Sequence, residues 1–134
     1  MIPIPATLTA AAAAVFLNMW LGWRISALRY HLKVTVGDGG QEPLVRRMRA
    51  QANFIENAPF FLILLGGLEL SGANRLALAI IAAIFILSRI AHGLGMDGGA
   101  AQPLRKYGIL TSTFMSVGLA IWALVCAAQC VLGR

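Results

Sequence analysis

From Tyr107 to Leu132 the chain carries no charged residue. That run exceeds the ~20 predominantly apolar residues a helix needs to cross a bilayer. A second charge-free run, from Ala6 to Trp23, lies near the start. It has no Lys or Arg ahead of it and so lacks the basic leader of a signal peptide; it reads as a retained first helix. Two more apolar stretches lie between, Ala58–Leu68 and Leu76–Ser88. The last is short, and spans only if Arg75 and Arg89 sit at the two interfaces or Arg89 faces protein.

Composition agrees with a bilayer setting. The chain is 59% apolar and 12% charged, with a mean hydropathy of +0.77, whereas a soluble domain carries about 25% charged residues. A soluble single-core protein, a disordered tail and a nucleic-acid binder in water are thereby excluded. One domain over residues 1–134 is expected, an all-α integral membrane four-helix bundle with helices near 6–30, 43–70, 75–95 and 105–132. Gly37-Asp38-Gly39-Gly40 marks a turn before the second helix, and Pro43 suits that helix's first turn, where its missing N–H has no partner to lose.

The cations cluster. Arg24, Arg29, Lys33, Arg46, Arg47 and Arg49 flank the first connection, and Arg89, Arg105 and Lys106 the third, leaving only Arg75 and Arg134 of the 11 Lys and Arg for the other side. By the positive-inside rule, segments 24–49 and 89–106 are cytoplasmic and both termini lie opposite.

Some polar residues are harder to assign to an interface. At about 100° per residue, Arg46, Arg49, Asn53 and Glu56 fall within an arc of about 80°, one polar stripe on the second helix. An ionisable group at membrane depth costs ~2.5–3.5 kcal/mol on insertion scales. Glu56 should therefore face protein or a watery pocket with a cationic partner. A structural ion pair with a neighbouring Arg is the plain alternative to a binding site. Pro59 removes the hydrogen bond to the carbonyl of Ile55 and invites a kink, with or without a role. Arg89 and His92 share a face one turn apart. Arg105 and Lys106 open the fourth helix, where cations oppose the helix dipole unless an anion is bound; they serve equally as interface anchors. Cys126 and Cys130, one turn apart in the last helix, read as packing residues, and no Cys/His cluster has metal-ligand spacing.

The segment Arg49-Ala50-Gln51-Ala52-Asn53-Phe54-Ile55-Glu56-Asn57-Ala58-Pro59 resembles the R-A-x-x-N-x-x-E-x-x-P signature of the MAPEG family, membrane-associated proteins of eicosanoid and glutathione metabolism. Its Arg-Ala-Gln opening looks like the leukotriene-synthase version. Gly37-Asp38-Gly39-Gly40 resembles bacterial members, and Arg89-x-x-His92 and Arg105 ahead of Thr111 extend the likeness over nearly the whole chain. The resemblance implies a homotrimer with glutathione bound between subunits near the cytoplasmic face. It implies that Arg49, Asn53 and Glu56, with Gln51 as a lesser member, hold glutathione, and that Arg29 (or Arg24) reaches in from the adjacent subunit. It sets Arg105 beside the thiol as the catalytic cation, and puts Arg89 and His92 in the site. The chain departs from relatives at Met96 and Asn57, where Tyr is frequent.

Arginine forks suit the two carboxylates of glutathione and Glu56 suits its ammonium. The resulting expectation is a glutathione-dependent transferase or peroxidase acting on lipophilic electrophiles or hydroperoxides dissolved in membrane lipid. The competing readings are a non-catalytic lipid-binding or scaffold protein on the same fold, and a small four-helix multidrug transporter.

Overall fold

A computed structural model describes residues 4–133. Arg134, one of the two cations assigned above to the terminal side, and residues 1–3 lie outside the described residues. Four helices follow one another, α1 (Pro5–Leu32), α2 (Glu42–Leu70), α3 (Arg75–Gly95) and α4 (Gln102–Val131), with a single 3₁₀ turn, Gly99–Ala101, ahead of the last. All four are long and apolar enough to cross a membrane, and they form the expected helical bundle. Pro lies in the first turn of α1, α2 and α4, where the backbone N–H would have no helical acceptor. Gly37, Gly39 and Gly40 take positive φ angles of 71°, 57° and 70° in the α1–α2 connection, a backbone region costly for a residue with a Cβ. Pro59 lies inside α2, which continues unbroken to Leu70.

The helix α3 opens on Asn74, whose side-chain oxygen accepts from the N–H of Ala77 at 3.0 Å. Replacing such a cap by alanine costs about 1 kcal/mol. Asn74→Ala is therefore expected to destabilise the protein by that amount, read as a small fall in detergent melting temperature with the fold retained.

The helices pair as α1 with α2 and α3 with α4, and α1 also lies along α3. A core of Leu17, Leu21, Phe54, Phe61, Leu65, Leu78 and Phe85 fills the space between them. Phe61 and Phe85 stack face to face at 3.8 Å between centroids. Small residues let α3 and α4 approach closely: Gly95 meets the backbone of Arg105, and Gly108 meets that of Ser88 and His92. Most of the surface of α4 is left outside the bundle. Cys126 packs against the core, whereas Cys130 is exposed, so the packing role expected of both holds for one.

Polar ties close each end. Arg24 of α1 is buried, pairs with Asp97 in the α3–α4 connection, donates to the carbonyl of Gly93 at 2.9 Å, and stacks 4.6 Å from the Trp20 ring centre. Arg47 of α2 joins the same carboxylate at 2.9 Å and donates to the carbonyl of Arg24 at 2.9 Å. At the opposite end, Glu69 of α2 is buried and accepts from the N–H of Ala6 at 2.9 Å, the N–H of Thr7 at 2.8 Å and the Thr7 hydroxyl at 2.7 Å. These are the free donors of the first turn of α1. Neither tie has a local signature, since Asp97 is 73 and 50 positions from its two arginines and Glu69 is 63 and 62 positions from Ala6 and Thr7.

Candidate functional site

The basic end of the bundle holds a cavity of about 530 Å³ between α2, α3 and the start of α4. Its polar lining is Asp38, Arg49, Asn53, Glu56, His92 and Arg105, over an apolar floor that includes Val45, Met48, Ala52 and Met96. A smaller recess of about 300 Å³ adjoins it, sharing Arg49 and Arg105 and adding Arg46 and Glu42. A larger groove of about 640 Å³ lies between α1 and α3 toward the other end. It is almost wholly apolar, with Thr9 and Arg75 as its polar lining residues, and so offers no set of converging functional groups. The smaller, polar cavity is the candidate site.

The geometry follows from the helical period. Arg49, Asn53 and Glu56 are three or four residues apart and so face one way. Ala50, Phe54, Ala58 and Phe61 turn inward as the buried face of the same helix. Arg49, Glu56 and Arg105 are exposed at the cavity, while Asn53 is half-buried and His92 buried. Among the described residues, Glu56 has no ion pair, and neither do Arg49 or Arg105. The structural pairing considered for Glu56 is therefore absent from a single chain, and the cationic partner expected for it is not provided by the described residues. Arg46, the fourth member of the stripe, is held by Glu42 at 3.0 and 2.5 Å.

His92 approaches the carbonyl of Arg105 through Nδ1 at 3.2 Å. A carbonyl only accepts, so Nδ1 carries the proton in this contact, and the end of α3 is thereby tied to the backbone that carries Arg105. Arg105 stands in the first turn of α4, where the helix dipole favours an anion. Arg105 and Arg49 are the two guanidinium groups in the lining that can draw an anion into the cavity.

The remaining expected site residues lie around the cavity rather than in its lining. Arg89 is 2% exposed and sits behind Asn53, donating to its side-chain oxygen at 2.6 Å and to the Ser112 hydroxyl at 3.3 Å. This meets the condition set for α3 to span, since Arg89 faces protein. Gln51 points toward α1 and donates to Asn18 at 3.2 Å. Arg29 stays near the α1–α2 connection, reaching the Met48 sulfur at 3.6 Å and the Thr35 carbonyl at 3.4 Å. Arg24 is engaged by Asp97. Asn57 folds back to the carbonyl of Asn53 at 2.7 Å, and Met96 lines the cavity. Asp38 joins the lining without having been singled out as a site residue. Its visible signal is an acid inside a glycine turn, where it also accepts from the N–H of Gly40 at 3.0 Å. No three His, Cys, Asp or Glu side chains converge as metal ligands among the described residues.

The cavity thus offers two cations, two carboxylates, one amide and one imidazole over an apolar floor. Such a set suits a small zwitterion with more than one carboxylate. The sequence model of the MAPEG family matches residues 7–125 of the chain, a span that includes every cavity-lining residue. No curated protein matches the chain.

Proposed function

Because the chain belongs to the MAPEG family, membrane proteins of glutathione and eicosanoid metabolism, we propose that it is a membrane-bound glutathione-dependent transferase or peroxidase. The observation that carries this reading is the convergence of Arg49, Asn53, Glu56, His92 and Arg105 on one cavity. Glutathione brings two carboxylates, an ammonium and a thiol. Arg49 takes a carboxylate through its planar fork, and Glu56 takes the ammonium. Both are free to do so because neither is engaged in an ion pair among the described residues.

Arg105 supplies the chemistry. A free thiol has a pKa of ~8.5, so only a few per cent is thiolate at neutral pH. A guanidinium beside the sulfur favours the thiolate, and each unit of lowering is worth ~1.36 kcal/mol. The thiol proton leaves to water. The sulfur then forms a bond to an electrophilic carbon as the leaving group departs, or attacks a hydroperoxide oxygen as the O–O bond breaks and the thiol is oxidised. The lipophilic partner arrives from the membrane. A neighbouring copy in a homotrimer covers the open side of the cavity and contributes Arg29 from its own α1. On the positive-inside rule this end faces the cytoplasm.

The test is a glutathione titration of detergent-purified protein, followed by thiolate difference absorbance in the ultraviolet. A saturable signal is expected. In Arg105→Ala the thiolate fraction at neutral pH should fall about tenfold, the equivalent of one pKa unit, and Glu56→Gln should weaken binding. Unchanged thiolate formation in Arg105→Ala would remove Arg105 from the mechanism. No binding of glutathione to the unaltered protein would leave the non-catalytic lipid-binding reading.

A further inference from the structure

Arg89 is an unusual cation. It is almost wholly buried, and its nearest polar partners are the neutral side-chain oxygens of Asn53 and Ser112. Its Nε has no hydrogen-bond partner, and among the described residues no carboxylate pairs with it. A guanidinium held in a membrane bundle without a counter-charge is costly and calls for a functional account.

The contact with Asn53 has a direct chemical consequence. A guanidinium donates and never accepts, so Asn53 must turn its carbonyl oxygen toward Arg89. Its NH₂ group is then left on the other side, and Asn53 lines the cavity. An asparagine free to rotate its amide could meet a ligand with either end. This one is committed to donating. Ser112 does not depend on Arg89, because its hydroxyl also donates to the carbonyl of Ile109 at 3.0 Å.

We infer that Arg89 is a positioning residue that fixes the amide of Asn53, so that the ligand meets Asn53 with a carboxylate or carbonyl oxygen and not with its ammonium. The unbalanced charge behind Asn53 reinforces the same polarity, since an anion at that point gives the buried guanidinium the counter-charge it lacks. Glu56, one turn further along α2, is left as the acceptor for the ammonium. The peptide therefore enters in one of two possible directions. This inference rests on the glutathione reading and names the part of the site that orients the ligand.

Two variants test it, with glutathione as the probe. Arg89→Met replaces a buried, unbalanced charge by an apolar side chain of similar length, a change that is often neutral or stabilising. Its melting temperature should equal or exceed that of the unaltered protein, while glutathione affinity by calorimetry falls at least tenfold. Asn53→Asp gives Arg89 a carboxylate to pair with and keeps the fold, yet removes the donor from the cavity; affinity should fall at least tenfold here too. A purely structural role for Arg89 predicts the reverse for Arg89→Met, a lower melting temperature with binding intact in the folded fraction. If the unaltered protein binds glutathione and both variants bind within threefold of it, the orienting role is overturned and the glutathione reading survives. If the unaltered protein does not bind, both fall together.

Discussion

Gly95→Ala is expected to destabilise the protein by about 3 kcal/mol, the upper end of what overpacking a well-packed contact usually costs. A Cβ at Gly95 would stand 2.1 Å from the backbone nitrogen of Arg105, 2.7 Å from its Cα and 2.8 Å from the carbonyl carbon of Leu104. All three are main-chain atoms, so no side-chain rotation can make room and the start of α4 must move. That movement carries Arg105 with it. Displacing a reacting group by about 1 Å can cost ~100-fold in rate, so thiolate formation should fail along with stability. Gly118→Ala is the control, because a Cβ there meets nothing within 4 Å. The exchange gains the helix preference of alanine, about 0.8–1.0 kcal/mol per residue. Detergent melting curves and the thiolate signal measure both variants. Matching curves for the two alanines would show that α3 and α4 have slack at this contact.

The second large effect is at the other end. Glu69→Ala removes a buried acceptor from two backbone N–H groups and a hydroxyl. A hydrogen bond to a charged group contributes about 1.5–3 kcal/mol, and each buried donor left unsatisfied costs about 1–3 kcal/mol. Water at the membrane edge recovers part of this, so a net loss of about 3 kcal/mol is expected. Hydrogen exchange should accelerate most in the first two turns of α1, with little change around the cavity. Glu69→Gln keeps one acceptor oxygen and should lie between the two. Slow exchange at Ala6 and Thr7 in the alanine variant would mean that something other than Glu69 holds that turn.

The helices were legible because a bilayer demands long apolar runs, and those are local in sequence. So were Arg49, Asn53 and Glu56 as one face, since spacings of three and four are read directly from a helical period. The same period already separates Gln51 from them: two positions from Asn53, it turns to α1 and Asn18. The shortness of the apolar run before Arg89 left it either at an interface or facing protein, and the structure takes the second. What stayed illegible has partners far along the chain. Glu69 gives no signal in the sequence because its donors belong to the start of α1. Asp97 carried no signal for the same reason, although two arginines converge on it. Gly95 and Gly108 reveal their role only when the opposing backbone is in place. Sequence also set Glu56 beside a cation, whereas the single chain leaves it open to the cavity, where a ligand or a neighbouring copy can reach it.

The tie between Arg24 and Asp97 bears on how the chain comes to be assembled. The two residues are 73 positions apart, and ribosomes add about 5–20 residues per second. For several seconds, on that scale, the first helix exists while its acid does not. Arg24 therefore has to stay in the headgroup region, its long stem reaching toward water, until the connection bearing Asp97 emerges. Glu69 is made in the interval and can already anchor the far end of α1. The nascent first helix is thus secured at its start before its end can be buried, and the basic end that forms the cavity closes after the opposite end of α1 is anchored.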